Sequence, residues 1–346
     1  MNVIFTCGGT GGHINPAIAV ANAYRRRHPD ANILFIGAKE CMEEKLVPAA
    51  GYEIKCVGSS YGLVRGLDPK SIANNIKGVF RTVKAINDCK KILKEFQPDV
   101  IMGTGGFACF PALMAGSMMK IPTCVHESNA LPGLTTRMLA SRVDRTLICF
   151  PESAAQYKEP KKLIAVGMPI RQEFVRPDRL KARKELGIGE EELLVVSAFG
   201  SLGATRMNEI TAELFALEKR DGFPFRHIHA TGKWGWEWMA DRALGLGVDL
   251  SKCPSIDMRE YIYNMSTVMA AADVFISRSG ASTCNEIAAT GLPTILIPSP
   301  NVTDNHQEKN ARVLVDKGGA VMILEADSSA EAVYAQIKQL LSDGGR

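Results

Sequence analysis

Several short stretches of this 346-residue chain combine residues that could hold an anion and move a proton. The first is Gly8-Gly9-Thr10-Gly11-Gly12-His13, directly after the apolar run 3–7. Glycines let the backbone approach a ligand and take positive φ. A helix that starts there aims N–H groups at negative charge, and an imidazole in the same turn suits proton transfer near pH 7. The stretch is a poor dinucleotide fingerprint. Read as G-x-G-x-x-G from Gly9, it puts Ile14 at the third glycine position, and the first acid past the second strand, Glu40, lies beyond that strand's end. No Walker A sequence occurs. A second glycine turn, Gly103-Thr104-Gly105-Gly106 before Phe107, and the polar run His126-Glu127-Ser128-Asn129 follow later apolar runs. Adjacent residues of a strand face opposite ways, so His126 and Glu127 are not a dyad by sequence; either could equally be a satisfied structural group.

The second half repeats the theme. Gly200-Ser201-Leu202-Gly203 opens a helix after the run 193–199 and could cradle a diphosphate. Arg278 to Thr283 opens another, with Glu286 three residues on and on a similar helix side. A capping box would explain Thr283 and Glu286 without function; a carboxylate there could instead accept two ribose hydroxyls. Asp304-Asn305-His306-Gln307 offers donors and acceptors of the kind a sugar needs, or a polar helix cap.

The elements that must position these groups are legible as alternating periods. Apolar runs at 3–7, 33–37, 53–57, 100–103, 123–126, 146–149 and 163–166 predict parallel strands, with helices over 17–27 and 72–96 among the segments between. A new series at 193–199, 225–230, 273–277, 294–298 and 320–324 alternates with helices over 204–217, 283–290 and 306–316. The expected class is α/β, with two Rossmann-like doubly wound parallel-sheet domains facing across a cleft. The stretch 160–177, with Gly167 and Pro169 inside, reads as the linker. We place an N-terminal domain at 1–165 and a C-terminal one at 166–327; the last helix, within 328–346, could pack on either.

Composition is that of a soluble globular protein, 46% hydrophobic and 23% charged. No apolar run is long enough for a membrane span. The chain enters its first strand at once, unlike a secretory signal. Nine cysteines without CxxC spacing read as reduced thiols rather than disulfides or a zinc site. Charge is uneven: residues 1–165 carry 21 Lys and Arg against 13 Asp and Glu, a balance of +8, and the remainder carries 20 against 24, or −4. A basic half suggests an anionic partner. The helix over 72–96 carries Lys77, Arg81, Lys84, Lys90, Lys91 and Lys94, with Ile72, Ile76, Val79, Phe80, Val83 and Ile86 on one face. Such a helix packs that face into the core or lays it on an anionic membrane.

Together these stretches resemble the MurG family, which adds N-acetylglucosamine to the lipid-linked muramyl-pentapeptide of bacterial cell-wall synthesis. The resemblance runs over nearly the whole chain. It rests on residues 8–13, 103–107, 126–135, 167–171 (Gly-Met-Pro-Ile-Arg), 200–204, 278–286 and 306–310, in this order and spacing. It implies a GT-B architecture with UDP-GlcNAc held mainly by the C-terminal domain. By motif, Ser201 and its backbone would hold the diphosphate, and Arg171 would reach the donor. Ile262 would flank the uracil. Ala281, Ser282, Thr283, Cys284, Asn285 and Glu286 would line the nucleotide, with Glu286 on the ribose. Gln307, with His306, would meet the GlcNAc hydroxyls. Thr10, Gly11, Gly12 and Asn129 would meet the donor sugar and the acceptor. The chain departs from the family pattern at Phe107 (Tyr expected), Ser128 (often Gln), and Phe199 and Leu202 (Gly and Gln), which removes any hydroxyl acid–base role at 107.

The reaction so implied is an inverting displacement: the muramyl 4-hydroxyl of lipid I attacks the anomeric carbon and UDP leaves, forming lipid II. Base candidates are His13, His126 and Glu127, with His13 preferred. Helix N-termini and Arg171 would stabilise the departing diphosphate; neither a cofactor nor an obligatory metal is expected. The basic half would face the anionic lipid of the inner leaflet, which places the protein peripherally on the cytoplasmic face of the plasma membrane. The rivals are another GT-B enzyme, such as a UDP-GlcNAc 2-epimerase or a transferase with a soluble acceptor, and a noncatalytic nucleotide-sugar binding subunit. Nucleic acid is not expected as a partner, because aromatic and basic residues do not interleave.

Overall fold

The structure is a computed structural model that describes residues 1–58, 69–200 and 202–342, with only the backbone of 69–77 and 303. It divides into two compact units, Met1–Ile170 and Arg171–Arg346.

The first unit is built on seven parallel strands in the order β3-β2-β1-β4-β5-β6-β7. They are β1 (Asn2–Thr6), β2 (Asn32–Ala38), β3 (Glu53–Val57), β4 (Val100–Gly103), β5 (Thr123–Glu127), β6 (Arg145–Ile148) and β7 (Leu163–Ala165). All seven coincide with apolar runs; the central strands are buried on both faces, whereas the edge strand β7 leaves Ile164 exposed. Successive residues of β1 feed opposite layers. Val3 and Phe5 pack with Ile14, Ala17 and Ala21 of α1 (Gly11–Arg27), while Ile4 packs with Ala85, Cys89 and Leu93 of α3 (Pro69–Phe96). Helix α1 begins six residues before the expected start, because Thr10 O accepts from the N–H of both His13 (3.0 Å) and Ile14 (3.1 Å) and so closes the first turn. Three further helices complete the layers: α2 (Glu43–Ala49), α4 (Cys109–Met118) and α5 (Leu134–Leu139).

Helix α3 corrects one expectation. Its buried face runs through Gly78, Ala85, Cys89 and Leu93, whereas Val79, Phe80 and Val83 are exposed. The side chains of Ile72, Ile76 and Lys77 lie outside the described residues.

The second unit has six parallel strands in the order β10-β9-β8-β11-β12-β13. These are β8 (Leu194–Ala198), β9 (Arg226–Ala230), β10 (Ile256–Arg259), β11 (Val274–Ser277), β12 (Thr294–Leu296) and β13 (Val321–Met322). Between them lie α6 (Arg179–Leu186), α7 (Thr205–Arg220), α8 (Met239–Gly245), α9 (Met265–Ala271), α10 (Ala281–Thr290) and α11 (His306–Val315). The last helix, α12 (Ala330–Ser342), belongs to this unit's core: Ala330, Val333, Tyr334 and Ile337 pack with Val195, Val274 and Ile295. Among the described residues no helix is long and apolar enough to cross a membrane.

Candidate active site

An open parallel sheet binds ligands beyond the carboxyl ends of its strands, where the strand order reverses. In the first unit that point lies between β1 and β4, and both strands end there in glycine turns. The two turns pack backbone on backbone. A Cβ on Gly106, at φ +80°, would stand 2.2 Å from Gly8 O, and one on Gly105 would stand 2.8 Å from Cδ2 of His13. The imidazole of His13 therefore lies on the second turn. Thr104 Oγ1 donates to His13 O at 2.6 Å, and Thr10 Oγ1 stands 3.1 Å from His13 Nδ1. Glu43 of α2 is fully buried beneath the first turn, where it accepts from Gly9 N (3.1 Å) and Ala38 N (3.0 Å). Nothing in the sequence pointed to Glu43, since its partners are backbone groups.

His126 and Glu127 both end β5 and serve separate partners. His126 is fully buried, with Nε2 donating to Gly167 O at 2.9 Å and Nδ1 3.5 Å from the Ser128 hydroxyl. Burial pushes its pKa below the usual value, so the ring is neutral. Both oxygens of Glu127 are engaged by the loop that follows. Oε1 accepts from Asn129 N (3.0 Å) and Nδ2 (3.1 Å), and Oε2 accepts from Gly133 N (3.0 Å). The carboxylate shapes the loop that carries Asn129.

In the second unit the order reverses between β8 and β11. The turn after β8 is held tightly: a Cβ on Gly203, at φ +80°, would stand 2.1 Å from Thr231 O, and one on Gly232 would stand 2.1 Å from Gly203 N. Ser201 lies outside the described residues. The helices at these points share one property. The residues at the starts of α1, α7 and α10 (Thr10, Ala204 and Gly280) make no side-chain capping bond, and none of the three has an acid in its first turn. Each leaves N–H groups to be satisfied by solvent or by an anion. The capping box weighed for Thr283 and Glu286 does not form, because Gly280 occupies the cap position.

Around α10 the structure brings Arg171 beside Glu286 and ties Gln307 to the β11 turn. Burial pushes the Glu286 carboxyl up to about 7, opposed by the Arg171 guanidinium. Asn285 Nδ2 is turned back onto Ala281 O at 2.8 Å. Ser279 Oγ donates to Gln307 O at 2.8 Å, which ties the β11 turn to α11. Gln307 Oε1 accepts from Ser299 N at 2.9 Å, so the amide NH2 is its donating end. Asp304 and Asn305 precede α11 at φ +55° and +51°, a conformation that non-glycine residues adopt at a cost. Ile262 is buried, while its neighbours Tyr261 and Tyr263 are exposed with ring centroids 4.9 Å apart, a feature that sequence reading missed. Arg278 is structural, since it donates to Ile297 O and pairs with Glu325.

The raised Glu286 carboxyl has a testable sign. A carboxyl whose folded pKa exceeds the usual 4.5 favours folding in its neutral form, and that contribution is lost as pH rises toward about 7. Glu286→Gln is therefore expected to raise the melting temperature at about pH 8 and to change it little at about pH 5. An unchanged melting temperature at the higher pH would contradict the shift.

Two doubly wound units, each with glycine turns and open helix starts at its switch point, are the architecture of the GT-B fold. Residues 3–148 match the glycosyltransferase family 28 N-terminal domain and residues 194–346 the family 28 C-terminal domain. The UDP-N-acetylglucosamine–N-acetylmuramyl-(pentapeptide) pyrophosphoryl-undecaprenol N-acetylglucosamine transferase of Acetivibrio thermocellus is 42% identical over 99% of this chain and 90% of its own. Its namesake from Caldanaerobacter subterraneus is 40% identical over 99% and 92%. The chain belongs to this family, the MurG transferases. Among solved structures, Acinetobacter baumannii MurG shares the fold at TM-score 0.76, with 24% identity over 98% of this chain and 90% of that one. UDP-GlcNAc 2-epimerase from Neisseria meningitidis shares it at 0.65, with 14% identity over 99% and 92%.

Proposed function

We infer that this protein transfers N-acetylglucosamine from UDP-GlcNAc to the 4-hydroxyl of the muramyl sugar in undecaprenyl-pyrophosphoryl-MurNAc-pentapeptide. The observation that carries this reading is full-length identity of 36–42% to transferases named for that reaction. The second unit would bind the donor. Its open α7 start and the Gly200–Gly203 turn suit a diphosphate, and Glu286 suits the ribose hydroxyls. Arg171 supplies positive charge beside that carboxyl. The amide NH2 of Gln307 is a donor for sugar hydroxyls.

The first unit would present the acceptor. Among the base candidates His13 fits best, because it sits in the glycine turn at the β1/β4 switch point with its ring against Gly105, whereas His126 Nε2 bonds Gly167 O and Glu127 holds its own loop. If Thr10 Oγ1 accepts from His13 Nδ1–H, the lone pair sits on Nε2 and can take the proton of the attacking hydroxyl. Glu127 then acts by holding Asn129 in place. As UDP departs, its charge would meet the N–H groups at the starts of α7 and α10.

The acceptor's lipid calls for a membrane surface, and α3 offers a candidate: Phe80 is 73% exposed between exposed Val79 and Val83, with Arg81 and Lys84 beside them. Docking here would put the protein on the leaflet that presents lipid I, the cytoplasmic one in this reading. Burying one phenylalanine is worth about 1.5–3 kcal/mol, so Phe80→Ser is expected to weaken binding to anionic vesicles about tenfold or more. Binding that ignores this change, salt and anionic lipid would remove α3 from the membrane role.

The decisive assay is UDP release from UDP-GlcNAc in EDTA, with and without a short-chain lipid I analogue. Release that requires the acceptor is expected. Release without it would favour an epimerase or hydrolase, and tight donor binding without release would point to a noncatalytic subunit.

A further inference from the structure

The second unit contains a chain of buried polar side chains that the reaction above does not use. Glu218 and Asn208 of α7, Ser197 of β8, and His227 and His229 of β9 are all fully buried. Phe215 stands edge-on to both imidazoles, with centroids 5.2 Å and 6.0 Å away. No dissolved substrate reaches Ser197 there, so the Glu–His–Ser order is not a hydrolytic triad.

The direction of every hydrogen bond in the chain follows from its end. Asn208 Nδ2 donates to Thr231 O at 2.8 Å, since a carbonyl only accepts. Asn208 Oδ1 therefore faces His229 Nε2, 3.2 Å away, and that nitrogen carries a hydrogen. Burial, and then the neighbouring His227, hold the pKa of His229 well below its usual value. Its Nδ1 is accordingly bare and accepts from the Ser197 hydroxyl at 2.7 Å. The single hydrogen of Ser197 is thereby committed, so the 2.7 Å contact to His227 Nε2 is a bond that His227 donates. His227 meets Glu218 Oε1 through Nδ1, again at 2.7 Å. Either His227 is an imidazolium beside a carboxylate, or it is neutral beside a carboxylic acid. Both states hold one proton more than a neutral histidine with an ionised glutamate.

We propose that Glu218 and His227 share one buried proton, and that the chain it completes through Ser197, His229 and Asn208 positions the Gly200–Gly203 turn for the nucleotide diphosphate. The link is the last bond. Thr231 O, held by Asn208, is the atom that Gly203 approaches so closely, and Gly232 closes on Gly203 N from the same turn. These are positioning residues, acting through the backbone of 231–232. This role rests on the assignment of the Gly200–Gly203 turn to the donor.

The first test is nitrogen-15 NMR of the full-length protein labelled at histidine, with signals assigned through His227→Asn and His229→Asn. Protonated Nε2 is expected on both rings, with bare Nδ1 on His229. A bare Nε2 on His227 overturns the shared proton. The second test measures UDP affinity by calorimetry and transferase kinetics. Asn208→Ala and Glu218→Ala are expected to raise the UDP dissociation constant and the donor KM about tenfold with kcat nearly kept. Glu218→Gln, whose amide can donate to His227 Nδ1, should restore most of the loss. If the native protein does not bind UDP, the donor assignment fails and takes the positioning role with it, while the NMR result still decides the proton. If it binds UDP and both alanine variants match it, the positioning role alone is overturned. Should an alanine variant not fold, the spectrum of the native protein and Glu218→Gln remain decisive.

Discussion

Replacing His13 with alanine is expected to lower kcat by about 10²- to 10⁴-fold, the usual contribution of a positioned general base. UDP affinity should change little, because the residues assigned to the nucleotide and its diphosphate belong to the other unit. The expectation rests on placement. His13 sits in the first turn of α1, its carbonyl is held by Thr104, and its ring lies against Gly105. Single-turnover rates and UDP titrations of His13→Ala, His126→Ala and Glu127→Gln separate the candidates. A normal rate for His13→Ala with a collapsed rate for Glu127→Gln would transfer the base role to the carboxylate. The bonds of Glu127 predict a different outcome for Glu127→Gln: loss of order in the loop that carries Asn129, read as a raised KM for the acceptor with the rate at saturation kept.

Gly203→Ala is expected to abolish measurable donor binding and to lower the melting temperature. A residue with a Cβ at φ +80° carries a left-handed backbone penalty of about 1–2 kcal/mol. The larger effect is steric. The new methyl would stand 2.1 Å from Thr231 O, a backbone atom already fixed by Asn208, so neither side can yield locally. The turn has to move, and with it the start of α7. Calorimetry with UDP checks this, and Leu202→Gln serves as the control because Leu202 is half exposed and its substitution leaves the turn's backbone intact. UDP binding retained by Gly203→Ala would mean that the diphosphate is held elsewhere.

Among the described residues the apolar runs identified twelve of the thirteen strands, because the central strands are buried on both faces and cannot hide their hydrophobicity. The missing one, β10, is Ile256-Asp257-Met258-Arg259 at a sheet edge, paired only with β9, and its Arg259 and Asp257 side chains bind each other. Such a strand reads as polar. The buried face of α3 was misplaced for a related reason. Val79, Phe80 and Val83 form a better apolar stripe than Gly78, Ala85 and Cys89, yet close packing against α4 and the sheet selects the smaller residues.

By itself the sequence determined the α/β class, the two-unit order, the glycine turns at the strand ends and the family, because these depend on local period, glycine chemistry and motif order along one chain. Only the tertiary structure decided what each polar group does. It joined Glu43 to Gly9, His126 to Gly167, Asn208 to Thr231, and the last helix to the second core. Those contacts bridge residues 23 to 41 positions apart or more, and most of them end on backbone atoms, which carry no signature in the identity of the residues they join.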